Sequence, residues 1–296
     1  MIWLAGAKGM LGKQVMQELS DSGLDVLPTD VDVDITDSVS CQTLMDTNPI
    51  QWIINCAAYT AVDRAEDEPE KAFHLNADGP KNLARLADRS HARLIHLSTD
   101  YVFRGDQKTP RSESDPPHPL SVYGISKLKG ERCLLKECPQ HFIIRTAWMY
   151  GTHGSNFVYT MLKLMHRLDE IKVVDDQTGS PTCAKDLAGF IGHLIRENSQ
   201  EYGIYHYTNS GYVTWFEFAK KIYALGKDAG LLDNECRVIP CTSAEFPAKA
   251  VRPKYSLLSK AKIRSVFDIV PPQWDQSLKE FILALTESGY RPELQE

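Results

Sequence analysis

A doubly wound parallel α/β sheet followed by a smaller α/β C-terminal domain is the fold this sequence predicts, and two observations predict it. Short apolar, β-branched runs alternate with longer segments of helical periodicity through the first two thirds of the chain. Three glycines, Gly6, Gly9 and Gly12, stand at three-residue spacing between the first such run and the first periodic segment.

The elements follow in order. Strands are expected at Ile2 to Ala5, Asp25 to Pro28, Trp52 to Cys56, Arg93 to Ser98, Phe142 to Arg145 and Ile171 to Val174, with Ile204 to Tyr207 as a seventh. Met10 to Ser20, Ala72 to Arg89, Ser121 to Glu137 and Lys185 to Glu197 carry apolar residues at three- and four-residue spacing and serve as crossover helices. Beyond about Tyr202 the alternation degrades. A helix over Val213 to Leu225, opened by Thr214 at its cap, and a last helix near Gln273 to Ser288 remain. The Pro-rich stretch Asp115 to Pro119 is a local breaker, too short for a linker.

Composition bounds the function. At 296 residues, with 43% hydrophobic and 24% charged side chains, the chain can build a full core and is neither disordered nor collagen-like. Thirty-three basic against 39 acidic residues give a net charge of -6 with no basic block, which argues against a nucleic-acid binder held by phosphate contacts. Seven cysteines show neither a zinc spacing nor a Cys-x-x-Cys pair, so reduced thiols are expected. No signal pattern and no membrane-length apolar run is visible, so the expected location is cytoplasmic, away from membranes.

The glycine spacing carries a mechanism. Gly6 permits a tight turn, Gly9 lets backbone approach a pyrophosphate, and Gly12 lets helix and strand pack closely. The N–H groups at the start of the helix, at Met10 and Leu11, then favour phosphate charge. This is a Rossmann-type dinucleotide site. Asp30, 18 residues after Gly12, can accept from adenosine ribose hydroxyls and favours NADH, whereas Lys8 can attract a 2'-phosphate, so the cofactor is NADH or NADPH. Asp32 and Asp37 read as a solvated acidic loop. The expected division is a dinucleotide-binding domain over 1–150, to which about 170–198 returns, a connection over 151–169, and a substrate domain over 199–296.

Tyr123 and Lys127 lie at i and i+4, on one helix face. An ammonium at ~4 to 5 Å in an effective dielectric of ~20 stabilises a phenolate by ~3 to 4 kcal/mol, so Tyr123 is expected to trade a proton near neutral pH. Leu94 to Phe103 reads as a buried strand ending in hydroxyls, and Thr99 projects where ligands bind in open parallel sheets. Its hydroxyl can hold a carbonyl oxygen as that oxygen becomes an alkoxide. His96, inside the apolar run, reads as a satisfied core histidine. Trp148, which follows an apolar strand, reads as a core indole on its surroundings alone.

At this point the chain resembles the extended short-chain dehydrogenase/reductases, and within them the dTDP-4-dehydrorhamnose reductase family. The resemblance covers nearly the whole chain and rests on Gly6 to Gly12, Asn55 to Asp63, Ser98 to Phe103, Tyr123 to Lys127, Arg145 to Gly151 and Asp176 to Thr182. It implies that Thr99, Tyr123 and Lys127 form the catalytic set, that Asp100 and Trp148 touch the sugar with Thr99, and that Asp34 and Ile35 lie by the adenine. It also implies that Ala57, Ala58, Tyr59 and Thr60 run along the cofactor, and that Lys127 grips the nicotinamide ribose. The implied reaction is reduction of the C4 ketone of dTDP-4-dehydro-L-rhamnose to dTDP-L-rhamnose.

Some relatives dimerise through magnesium held by carboxylates. Here Gln14 and Val15 stand near the end of the first helical turn, so no metal is assigned, and a homodimer stays open. Arg252 to Ser256 resembles a tail motif of the family whose task the residues alone do not reveal. Two rivals share the scaffold. One is another nucleotide-sugar 4-ketoreductase, an epimerase or a dehydratase, although Asp100 is followed by Tyr101 and not by the second carboxylate that dehydratases carry. The other is a non-catalytic dinucleotide-binding regulatory subunit, like the β subunit of methionine adenosyltransferase.

Overall fold

The structure, a computed structural model, describes residues 1–246 and 248–292. The last four positions of the expected substrate domain, 293–296, therefore lie outside the described residues. A six-stranded, wholly parallel sheet forms the centre, in the order Gly203–His206, His141–Thr146, Arg93–Thr99, Trp52–Asn55, Ile2–Ala5, Val26–Thr29. Alternate side chains go to opposite faces of each strand. Ile2, Leu4, Ile54, Ile95, Phe142 and Ile144 pack on Leu11, Val15 and Leu19 of the Met10–Asp21 helix and on Leu187 and Ile191 of the Ala184–Arg196 helix. Trp3, Ala5, Ile53, Leu94 and Ile143 face the other way, against Leu83 and Ala87 of the Gly79–Ser90 helix and Leu134 of the Val122–Glu137 helix. Burial on both faces is why the strands read as continuous apolar runs.

Strand order reverses between Ile2–Ala5 and Trp52–Asn55, so the chain leaves the sheet in opposite directions there and a crevice opens beyond the strand ends. The glycine turn sits at that point.

A second core holds the smaller lobe. Val158, Met161, Leu162 and Met165 of the Phe157–Arg167 helix, Phe218 and Ile222 of Trp215–Asp228, and Leu278 and Phe281 of Trp274–Glu287 pack around Tyr150, Ile171 and Val173. Thr214 caps its helix as expected, in a capping box with Glu217.

Three expectations need correction. The strand near 171–174 does not join the central sheet: Glu170–Val174 pairs in parallel with Arg237–Cys241 in the smaller lobe. Its burial alternates, Ile171 and Val173 in and Glu170 and Lys172 out, which is the pattern of a strand covered on one face only. Conversely, Gly203–His206 lies beyond the expected boundary at 199 yet completes the central sheet beside His141–Thr146, and Ile263 of the Ala261–Phe267 helix packs on that sheet too. The helix expected over Ala72 to Arg89 is interrupted: α-helix Pro69–Phe73, a π-helical turn at His74–Asp78, then α-helix Gly79–Ser90. Pro80 lacks an N–H to continue an α ladder, and the wider turn accommodates it.

A buried ion pair braces the sheet beneath the strand ends. Arg145 grips Glu131 with two bonds, at 2.9 and 2.7 Å, both residues are 1% exposed, and the Ser98 hydroxyl also donates to Glu131. Removing one partner strands a charge in low dielectric. Glu131→Gln is expected to lower stability by about 3 to 5 kcal/mol in urea unfolding, and the paired replacement of Glu131 and Arg145 by methionine to cost less. Near-wild-type stability of Glu131→Gln contradicts the assignment.

Candidate active site

The glycine turn is built as its spacing requires. Gly6 has φ +75°, and a Cβ there would lie 2.5 Å from the Ala57 nitrogen. A Cβ on Gly12 would lie 2.1 Å from the Gly6 carbonyl oxygen, so only glycine lets the Met10–Asp21 helix come this close to its strand. Gly9 caps that helix without any side-chain bond, leaving the first N–H groups of the helix for an external acceptor. The Met10 and Leu11 side chains turn into packing, so their backbone alone faces outward: Met10 lies against Gly151, and Leu11 is in the core.

Beyond the turn lies a crevice of about 540 Å³ lined by Gly6, Gly9, Asp30, Asp34, Ile35, Ala57 and Ala58. The structure thus brings seven of the expected cofactor residues together. Asp30 accepts the Lys8 N–H at 2.9 Å, so the two residues that argued for different cofactors are joined in one turn. Asp34 accepts from both the N–H and the hydroxyl of Thr36, and Ile35 is buried against Gly79. Tyr59 and Thr60 stand apart from this lining. The Tyr59 hydroxyl donates to Glu68 at 2.6 Å, and Thr60 is exposed.

The catalytic candidates meet at the carboxyl end of Arg93–Thr99. The buried Thr99 hydroxyl donates to Asp100 Oδ1 at 3.0 Å, accepts the Tyr101 N–H at 3.2 Å, and lies near enough to the Tyr123 phenol to lower its pKa. Tyr123 also packs edge-on against Tyr101, with ring centroids 5.5 Å apart. Gly124 makes that approach possible, because a Cβ there would lie 2.3 Å from the Tyr101 carbonyl oxygen. Ser121 caps the helix that carries the pair, accepting the Gly124 N–H.

Electrostatics here run against the sequence expectation. Burial pushes the Tyr123 phenol up to about 12, the nearby Thr99 hydroxyl lowers it and the Asp100 charge raises it. Lys127 is engaged elsewhere: its Nζ donates to the Leu97 carbonyl at 2.6 Å and lies 3.5 Å from His96 Nε2. Burial holds this ammonium down at about 8, with Glu131 and Cys56 opposing. The i, i+4 spacing placed both residues on one face, but the lysine stem runs to the strand and leaves the phenol to its desolvation.

Several positioning groups were not singled out from sequence. Asn76, in the π turn, accepts the Tyr59 N–H at 2.8 Å and donates to the Tyr59 carbonyl and to Ser126, tying the 57–60 segment to the catalytic helix. The only signal for it was Pro80, which breaks the α ladder just after. Asn55 takes the Ala57 N–H and faces His96 Nδ1 at 3.1 Å, so a chain of contacts runs from the cofactor crevice through His96 to Lys127. Burial drives His96 well below its ordinary value, and it is a neutral core imidazole.

A second cavity, of about 660 Å³, opens between the lobes and is lined by Asp100, Trp148, Gln177, Trp215, Lys254 and Ser256 among others. Trp148 both packs and lines it. Its ring stacks on Trp215 with centroids 3.5 Å apart, its φ is +47°, and a Cβ on Gly179 would strike it at 2.4 Å. Asp100, 3% exposed, has one carboxylate oxygen with no hydrogen-bond partner, and burial lifts its pKa to about 7. Among the described residues no helix is long and apolar enough to cross a membrane.

Comparison with known proteins agrees along the whole chain. A family model described as the RmlD substrate binding domain matches residues 1–287. The dTDP-4-dehydrorhamnose reductase of Aggregatibacter actinomycetemcomitans is 39% identical over 282 residues, 93% of this chain and 96% of that protein. The Salmonella typhimurium enzyme of the same name is 38% identical over 291 residues, 95% and 96% of the two chains. A Bacillus anthracis dTDP-4-dehydrorhamnose reductase solved in complex with NADP superposes with a TM-score of 0.91 at 39% identity, covering 96% of this chain and 98% of that one. The Clostridium acetobutylicum structure gives 0.91 at 41%, covering 96% and 99%. A Thermotoga maritima UDP-glucose 4-epimerase and a Bacillus anthracis dTDP-glucose 4,6-dehydratase, at 17% and 16% identity, share the fold alone.

The raised carboxyl has a measurable sign. The folded protein binds more protons at Asp100 than the unfolded chain between about pH 4 and 7, so this group makes stability fall as pH rises through that interval. Three pH units correspond to about 4 kcal/mol as an upper bound. Asp100→Asn keeps an acceptor for Thr99 and removes the charge, so the variant is expected to gain stability over wild type progressively from pH 4 to 7 in denaturant titrations. Parallel pH profiles would show that the carboxyl is not held above its ordinary value.

Proposed function

The chain belongs to the dTDP-4-dehydrorhamnose reductase family, and from that premise we propose that Thr99, Tyr123 and Lys127 carry its reaction. That reaction is the NAD(P)H-dependent reduction of the C4 ketone of dTDP-4-dehydro-L-rhamnose to dTDP-L-rhamnose. The observation that supports the assignment best is the meeting of the buried Thr99 hydroxyl, at the carboxyl end of its strand, with the Tyr123 phenol, whose pKa it lowers.

The residues present fit a dinucleotide. At Gly6 and Gly12 a Cβ would strike backbone, so only glycine builds this tight turn, and the helix N-terminus at Gly9 is uncapped. Gly6, Gly9, Met10, Leu11 and Gly12 would hold the pyrophosphate through backbone, Asp30, Asp34 and Ile35 the adenosine end, and Ala57 and Ala58 the wall between. Tyr59 and Thr60 belong to the same segment and act through its backbone. Bound NAD(P)H supplies the hydride.

Everything else falls to side chains. Thr99 donates to the ketone oxygen as negative charge develops there, which requires its hydroxyl to leave Asp100 for the substrate. Tyr123 then gives its proton to that oxygen. A pKa of about 12 suits this direction, because the phenol is fully protonated at neutral pH yet far more acidic than an alkoxide's conjugate alcohol. Lys127 has one donor committed to Leu97, leaving its others for the ribose hydroxyls of the cofactor. Asp100, Trp148 and the cavity they line receive the sugar. Dehydratases carry a second carboxylate directly after the residue matching Asp100, where this chain has Tyr101.

Tyr123→Phe is expected to lower NAD(P)H oxidation at 340 nm with dTDP-4-dehydro-L-rhamnose by about 10²- to 10⁴-fold while NAD(P)H binding stays within twofold. Turnover at the wild-type rate removes Tyr123 as proton donor. Absence of stoichiometric oxidation by the wild type favours a recycling epimerase or a regulatory subunit.

A further inference from the structure

The tail motif Arg252 to Ser256 and the segment that follows the cofactor wall meet in space, although they are 189 residues apart. Arg252 forms a two-pronged bond with Asp63, Nη2 to Oδ2 at 2.6 Å and Nη1 to Oδ1 at 3.1 Å. The Ala250 N–H adds a third bond to Oδ1, at 3.0 Å. One turn along, Lys249 pairs with Asp67. Two arms of one strap are thereby pinned to the short helix Val62–Ala65 and the acidic turn that follows it.

That strap is a wall of the inter-lobe cavity. Ala250, Val251, Arg252, Lys254 and Ser256 all line it, whereas Asp63 does not. Farther on the strap is seated again, where the Tyr255 N–H donates to Gly105 and the Thr178 N–H to the Lys254 carbonyl. Gly105 has φ +72°, and a Cβ there would lie 2.3 Å from Pro253. The same acidic turn reaches the chemistry from the other side. Glu66 accepts the Val122 N–H at 2.9 Å, at the residue before Tyr123, and Glu68 holds Tyr59.

The geometry points to Asp63 as a positioning residue for the nucleotide sugar: its fork with Arg252 fixes the strap that walls the sugar cavity, in register with the proton donor that Glu66 steadies. The ligand class rests on the reading given under Proposed function; the latch itself rests on the contacts. A bidentate guanidinium–carboxylate pair sets direction as well as distance, which a point charge cannot do. Arg252 also faces the cavity, so a direct contact of its own with the diphosphate is the competing account. Asp63→Asn separates the two, because it leaves Arg252 in place and removes only what holds it.

The test measures dTDP and NADPH affinities by calorimetry, and kcat and KM for dTDP-4-dehydro-L-rhamnose, in Asp63→Asn, Arg252→Gln and the double variant. Asp63→Asn is expected to weaken dTDP and raise the sugar KM by about tenfold, with NADPH affinity and kcat within twofold, and the double variant to be no worse than Arg252→Gln alone. Asp63→Glu should recover part of the loss. Unchanged dTDP affinity in Asp63→Asn, an equal loss of NADPH affinity, or additive losses in the double variant overturns the proposal. Should Asp63→Asn fail to fold, Asp63→Ser, which also leaves Arg252 in place and removes the fork, carries the same expectation and the same refutation. A wild type that binds dTDP and NADPH yet reduces no 4-keto sugar defeats the reductase reading, and the dTDP arm still decides the latch.

Discussion

The constraint on which the rest depends is the burial of ionisable side chains at the carboxyl end of one central strand. A parallel sheet covered on both faces opens only at its strand ends, so the groups that do chemistry must stand there, away from water. Asp100 retains an oxygen with no hydrogen-bond partner, Tyr123 is pushed up and Lys127 held down, each chiefly by loss of solvation. Beneath them the Glu131–Arg145 pair is fully bonded, and the contrast is informative. Structure below the site is saturated with partners; the site itself keeps donors and acceptors for something else.

Two sets of contacts hold the reacting groups relative to the cofactor crevice. Through the sheet, Ala57, Asn55, His96 and Lys127 follow one another from the crevice wall to the helix of Tyr123. Over the sheet, Asn76 clamps Tyr59 at both its N–H and its carbonyl and reaches Ser126 on the helix of Tyr123. A Cβ on Gly130 would lie 2.2 Å from the Asn76 carbonyl oxygen, so that helix can approach the π turn only through glycine. The π geometry and the small residue facing it are parts of one contact.

What the sequence made legible was what local chemistry dictates. The apolar runs and the glycine spacing specified the sheet and its turn, since Gly6 and Gly12 each stand where a Cβ meets backbone. Thr214 announced its helix as a cap. What stayed hidden depends on distant partners. Ile171 and Val173 look like any central strand until Arg237–Cys241 is seen beside them, and Gly203–His206 lies past the point where the alternation fades. Asp63 reads as one acid among many, because Arg252 is remote in sequence. The Tyr123–Lys127 spacing was read correctly as a shared face and incorrectly as a direct electrostatic couple: spacing fixes where Cβ atoms lie, not where a four-carbon stem takes its charge.

The central claim is that desolvation, not a neighbouring ammonium, sets the acidity of Tyr123, the proposed proton donor. Carbon-13 NMR of protein labelled at tyrosine Cζ, with the Tyr123 resonance identified by its loss in Tyr123→Phe, follows that phenol alone through alkaline pH. The account predicts titration near 12 in the protein without nucleotide. A midpoint below the ordinary value of about 10 would contradict it and restore Lys127 as the group that makes Tyr123 acidic.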